Sequence, residues 1–224
     1  MSPNGSPVSP TASEQPAKGG RYHHGDLRAA LVDTTIDLIA ERGVHGFSLA
    51  EASRRLGVTA AAPYRHFADR DELLAAVAVR ALAVFTAMLE AEPADTQAPE
   101  QRLAAMTRAY VHFAAEQRPL FETLFGTAID KSRYPELVRA YEPVDKLFMS
   151  SVGEICENDP RGAEALAAVL EASAHGHAAL LLEGEYGQGP DAVRVAVDQA
   201  AGATLALIEG RKALATSADS PARP

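Results

Sequence analysis

The chain is predicted to be all-α, and three features of its sequence carry that expectation. Apolar side chains recur at three- and four-residue spacings in one segment after another, with no stretch of strict alternation. Ala and Leu are abundant while aromatics make up 6% and Trp is absent, a composition that suits helices better than sandwiches or barrels. Gly and Pro fall at intervals that cut the chain into helix-length pieces. About nine helices are expected over the 224 residues, enough chain for one large or two small domains.

Residues 1–20 are rich in Ser, Pro, Gly and Thr and offer little apolar surface to offset ordering entropy, so a flexible tail is expected there and again over 217–224. From His24 a helical stripe runs through Leu27, Leu31, Leu38 and Ile39 until Gly43 and Gly46 stop it. A short helix should start after Ser48, an N-cap with Glu51 three residues on as its capping-box partner. It points Leu49, Ala52 and Leu56 inward and ends at Gly57. Only Val58 and Thr59 separate it from the next segment, Ala60–Phe67, and two short helices joined by a tight glycine turn are the mark of a helix-turn-helix.

Longer amphipathic segments follow. Arg70–Glu92 ends before Pro93, Pro99–Gln117 carries Leu103, Met106, Tyr110 and Phe113, and Pro119–Gly126 is a short apolar turn or helix. Tyr134–Asn158 should kink or break at Pro143. Two Ala-rich helices, about Arg161–Leu182 and Asp191–Thr216, complete the set.

The formal charge is −9, yet it is unevenly spread. Lys18–Arg70 holds eight basic and six acidic residues, whereas Asp71 to the end holds 13 basic and 23 acidic. Only the first region suits a phosphate backbone. The single cysteine, Cys156, rules out an intrachain disulfide framework and a multi-thiolate metal site, and fits a reducing compartment. No apolar run of membrane-spanning length and no signal-peptide core are evident, so a cytoplasmic protein without membrane contact is expected.

The stretches Tyr22-His-His-Gly-Asp-Leu, Ala40-Glu-Arg-Gly, Phe47-Ser-Leu, Leu56-Gly-Val-Thr and Tyr64-Arg-His-Phe-Ala-Asp-Arg-Asp-Glu-Leu-Leu resemble the DNA-binding domain of the TetR (tetracycline-repressor) family. The resemblance implies a DNA-binding domain over 21–69 and an effector-binding and dimerisation domain over 70–216. It also implies a homodimeric, effector-responsive repressor that binds a palindromic operator and is released by a small molecule. Tyr64, His66 and Arg70 would then contact phosphates, and Thr59, Ala60, Ala61 and Ala62, with Arg65, would face bases. Apart from the resemblance, Ser48 caps a helix whose N-terminus can attract a phosphate. The small residues Thr59–Ala62 allow close approach to base edges. Pro63 stands where the family has a larger apolar residue; it disfavours helical geometry at Ala62 and leaves the start of the recognition helix open.

Ala174-His175-Gly176 resembles a TetR subgroup with a Trp-His-Gly signature, with Ala174 in place of the Trp. The family likeness places a dimer interface on the last two helices, through Leu166, Leu170, Ala174, His177, Leu181, Val197, Ala201, Leu205 and Ile208; an internal core would use the same stripes. Pocket candidates are Met106, Tyr110, Phe113, Phe121, Phe125, Phe148 and His175, residue types that line ligand sites and equally fill helical cores. His175 and His177 are two apart and so point to different helix faces, with no Cys or acidic residue completing a ligand set; no metal and no cofactor are expected. An α-helical enzyme and a helical interaction protein are the rival readings. Gly187-Gln-Gly189 follows no strand and cannot be a phosphate loop, and no nucleophile–base pair is recognisable.

Overall fold

The computed structural model describes residues 27–91, 98–127, 129–157 and 159–211. The expected helix start at His24, the tails 1–20 and 217–224, and the last helix end at Thr216 lie outside these residues. Among the described residues there are eight α-helices, two short 3-10 turns and no strand. The α-helices are α1 Leu27–Arg42, α2 Leu49–Leu56, α3 Arg70–Ala91, α4 Pro99–Glu116, α5 Arg118–Phe125, α6 Pro135–Ile155, α7 Pro160–Glu183 and α8 Pro190–Glu209.

Local chemistry sets most of these limits. Ser48 Oγ accepts the Glu51 N–H at 3.2 Å, satisfying one of the free donors at the start of α2. At the other end Gly57 is left-handed (φ 67°), its N–H donates to Arg54 and the Val58 N–H to Ser53, which is a Schellman motif. Pro stands in the first turn of α4, α5, α6, α7 and α8, where its missing N–H has no helical partner to lose.

Two expectations change. The segment Ala60–Phe67 is a 3-10 turn over Pro63–Arg65 instead of an α-helix. Pro63 cannot donate to the Thr59 carbonyl, so Ala62 takes that acceptor at 2.9 Å and closes an i to i+3 turn. Ala62 itself stays helical (φ −63°, ψ −42°), since the geometry before a proline is disfavoured and not forbidden, and a methyl side chain crowds it least. Conversely, α6 runs unbroken through Pro143. That proline and Arg139, whose carbonyl loses its bond, are both exposed, so water can serve the orphan acceptor.

One buried cluster runs from Leu31 and Leu38 in α1 through Phe67 and nearly the whole of α3 to Phe113, Phe121 and Leu124. The N-terminal helices are therefore welded to the body through α3. In a second region α4 packs against α8 and α7; the buried hydroxyls of Thr107 and Thr204 lie 2.9 Å apart and Thr107 also donates to the Leu103 carbonyl, so both polar groups are satisfied where the helices meet. Contrary to the expectation of no membrane-length apolar run, α3 and α7 are long and apolar enough to cross a bilayer. More than half of the apolar window of α3 is buried against other helices, which accounts for its composition.

Candidate nucleic-acid interface and internal cavity

The head is built from α1, α2 and the segment up to Asp69. Phe67, 1% exposed, anchors the 3-10 turn in the core, with the Arg28 guanidinium 5.2 Å from its ring centroid. Pro63 is buried beside it, which turns the neighbouring side chains outward: Tyr64 is 60% exposed and Arg65 and His66 are exposed too. Thr59, Ala60 and Ala61 are exposed and Ala62 half-buried, and Ser48 is exposed at the α2 N-terminus. The turn thus presents an accessible edge with little side-chain bulk over 59–62.

The head's cations are not equally available. Arg42 and Arg54 both pair with Glu51, at 3.1 and 2.6 Å. Arg55 grips Glu41 with two N–H groups, and these bonds hold the Glu41 carboxyl below its usual range. Arg70, expected to contact phosphate, is partly engaged within the chain: its guanidinium lies 4.5 Å from the Phe47 ring centroid and donates to the Val44 carbonyl, latching the loop between α1 and α2. Only its remaining N–H groups are left for an anion. Arg65 has no intrachain ion pair among the described residues, which makes it the most available guanidinium on the recognition turn.

A cavity of about 760 Å³ lies in the body between α3, α4, α6 and α7. Five of the sequence candidates stand on its wall: Met106, Tyr110, Phe125, Phe148 and His175. Phe113 and Phe121 do not. They are buried behind the wall, Phe113 packing on Phe85 and Phe121 on Tyr110. Leu82 and Phe85 of α3, Tyr141, Glu142 and Asp145 of α6 and Glu171 of α7 also line it and were not singled out as pocket residues from sequence, and Leu170 and Ala174, expected at the dimer interface, stand on the same wall. The signal existed in part, since Tyr141, Asp145 and Phe148, and likewise Ala168, Glu171, Ala172 and His175, recur at one-face helical spacing.

Burial, reinforced by the negative charge of Glu171, pushes the Tyr110 phenol well above its ordinary range. It therefore stays a neutral O–H that can donate to Nδ1 of His175, 3.0 Å away. The His175 ring also stacks on Phe121 at 5.7 Å, and the two contacts fix its plane.

Two family models match. Residues 31–77 match the bacterial regulatory proteins of the tetR family, and residues 103–203 match a tetracyclin repressor-like C-terminal domain. The chain belongs to the TetR family. This TetR-family chain is accordingly a DNA-binding transcriptional regulator of a non-enzymatic class. A protein of unknown function from Rhodococcus sp. RHA1 is 32% identical, with a TM-score of 0.65 over 85% of this chain and 98% of that one. The TetR family transcriptional regulator PfmR from Thermus thermophilus shares the fold at 18% identity and TM-score 0.55, over 79% of this chain and 97% of that one. RolR, solved in complex with resorcinol, does so at 21% identity and TM-score 0.54, over 88% and 93%. A comparison with curated protein sequences returns no match.

TetR-family regulators work as dimers, and most of the expected interface stripe is buried within the single chain. Leu166, Leu170, Ala174, Val197, Ala201 and Ile208 are each at most 8% exposed within the single chain. Leu166, Leu170 and Ile208 belong to a buried cluster with Leu103 of α4 and Val152 and Ile155 of α6, Val197 packs with Val111 of α4, and Leu170 and Ala174 also stand on the cavity wall. His177 is half-buried with Nδ1 2.5 Å from the Tyr186 hydroxyl, and Leu181 packs beside that pair. Of the nine, Leu205 keeps surface without such a tie.

Proposed function

We propose that this chain is an effector-responsive repressor that works in the cytoplasm, binds a palindromic operator as a homodimer, and leaves it when a small molecule fills the body cavity. One observation carries this proposal. Helix α3 begins at Arg70, directly after the recognition turn, and twelve to fifteen residues later presents Leu82 and Phe85 to the cavity. A molecule in the cavity thus touches the same rigid element that seats the head, and one that fits better when α3 is displaced shifts the population toward that arrangement.

On the DNA side, Tyr64, His66 and the free N–H groups of Arg70 would hold phosphates, with the α2 N-terminus at Ser48 adding a backbone donor. Arg65 and the small edge Thr59–Ala62 would meet bases in the major groove. The homodimer would use the outer faces of α7 and α8, where Leu180, Gly202 and Ala206 are exposed and Leu205 half-buried, bringing two such helix pairs together around a two-fold axis. Domain 21–69 would then read DNA and 70–216 sense and dimerise.

Mobility-shift titration against the promoter region of the chain's own or a neighbouring gene tests this. Tyr64→Ala with Arg65→Ala, both exposed, should weaken binding by about tenfold or more and lower the salt slope by about one. Full affinity in that double variant would overturn the assignment of the recognition edge. A monomer by sedimentation at operator-binding concentrations would overturn the dimer.

A further inference from the structure

The cavity wall is unequal in charge. Glu142 and Asp145 on α6 and Glu171 on α7 bring three carboxylates to it, and none of the three has an intrachain ion pair or hydrogen bond among the described residues. Against them stands one ammonium, Lys131, and it is already engaged: its Nζ lies 3.7 Å from the centroid of the Tyr141 ring, itself part of the wall. The floor is apolar, made by Leu82, Phe85, Leu103 and Met106. An anionic guest entering this space would meet three like charges, whereas a cationic one would meet three partners and aromatic faces of the kind that already seats an ammonium.

We propose that the effector is an organic cation, an amine or quaternary ammonium carried on an apolar body. The body lies against Leu82, Phe85 and Met106, and the charged end turns toward Glu142, Asp145 and Glu171. This rests on the cavity being the effector site, and the test separates the two claims. A cavity of about 760 Å³ is large enough to enclose a drug-sized molecule. The carboxylates supply selection by sign of charge more than raw affinity, because they sit at the exposed side of the wall where water screens them.

The experiment uses the full-length protein and three probes with the same ten-carbon tail, decyltrimethylammonium, 1-decanol and decanoate, titrated by calorimetry at low and high salt. The ammonium should bind about tenfold or more tightly than the other two, and its advantage should shrink as salt rises. The variant Glu142→Gln, Asp145→Asn, Glu171→Gln should lose about tenfold in affinity for the ammonium while 1-decanol binding is unchanged, with an unaltered melting curve showing that the fold survives. If 1-decanol or decanoate binds as tightly as the ammonium, or if the neutral variant retains the ammonium, the cation assignment falls while the cavity stands as an effector site. If Phe85→Trp, which fills the floor, leaves the binding of every probe unchanged, the cavity itself falls as the site and the cation assignment with it.

Discussion

Pro63 illustrates what a single residue decides. By withholding one N–H from the Thr59 carbonyl it replaces an α-helical turn with a 3-10 turn, and its buried ring turns Tyr64, Arg65 and His66 outward. Pro63→Ala should let residues 60–67 relax toward a regular α-helix, seen as a gain in far-UV helical signal and a changed operator affinity. Gly57 is under a different constraint: a Cβ there would meet no atom within 4 Å, so only its left-handed backbone resists substitution. Gly57→Ala should lower stability by about 1 kcal/mol, read from urea unfolding. Phe67→Ala, which empties a site 1% exposed, should lose about 3–5 kcal/mol and with it operator binding. The caps at Ser48 and Gly57 were legible in the sequence because a cap is a short-range arrangement of a few residues. The latch of Arg70 on Val44 and Phe47 was not, because it joins positions 26 apart in sequence for Val44 and depends on how the head loop folds back.

Among the elements, α6 and α7 form the outer wall of the cavity and α3 its inner one. In α6 Pro143 leaves one backbone acceptor without a helical partner close to Tyr141, Glu142 and Asp145, all on the cavity wall. Pro143→Ala should restore the bond and raise the melting temperature, and by stiffening the wall it should change effector affinity more than operator affinity. The pairing of His177 in α7 with Tyr186 in the turn before α8 carries a pH dependence. Burial lowers the His177 pKa from 6.5, so the folded chain holds the ring neutral, with Nδ1 free to accept from the phenol. As pH falls through 6.5 the unfolded chain takes the proton first, and stability declines until the folded value is passed; above 6.5 the contribution is complete. Melting curves at about pH 7.5 and about pH 5.5 should therefore differ more for the native chain than for His177→Gln.

For the whole molecule, charge is segregated: the region through Arg70 is mildly basic and the body strongly acidic. Operator affinity should consequently fall steeply with salt, and the acidic body should favour docking with the head toward DNA. Linkage also requires reciprocity. Whatever factor the effector imposes on operator affinity, operator DNA should impose on effector affinity, measurable by titrating effector into free and operator-bound protein.

Fold class, the order of the α-helices, the first helix and glycine turn of the helix-turn-helix and the family were determined by the sequence itself, because periodicity, caps and breakers act within a few residues and survive without knowledge of the partner surface; the second helix of that motif became a 3-10 turn. Which face of each helix meets which neighbour was decided only in the tertiary structure. Phe125 reaches the cavity while Phe121, one turn earlier, is buried behind it; the stripe through Leu166, Leu170 and Ile208 serves the chain's own core; Glu142, Asp145 and Glu171 converge from two helices. An amphipathic pattern shows that a face is covered, but core, cavity wall and partner subunit all cover it with the same apolar residues, and only the packing of distant segments distinguishes them.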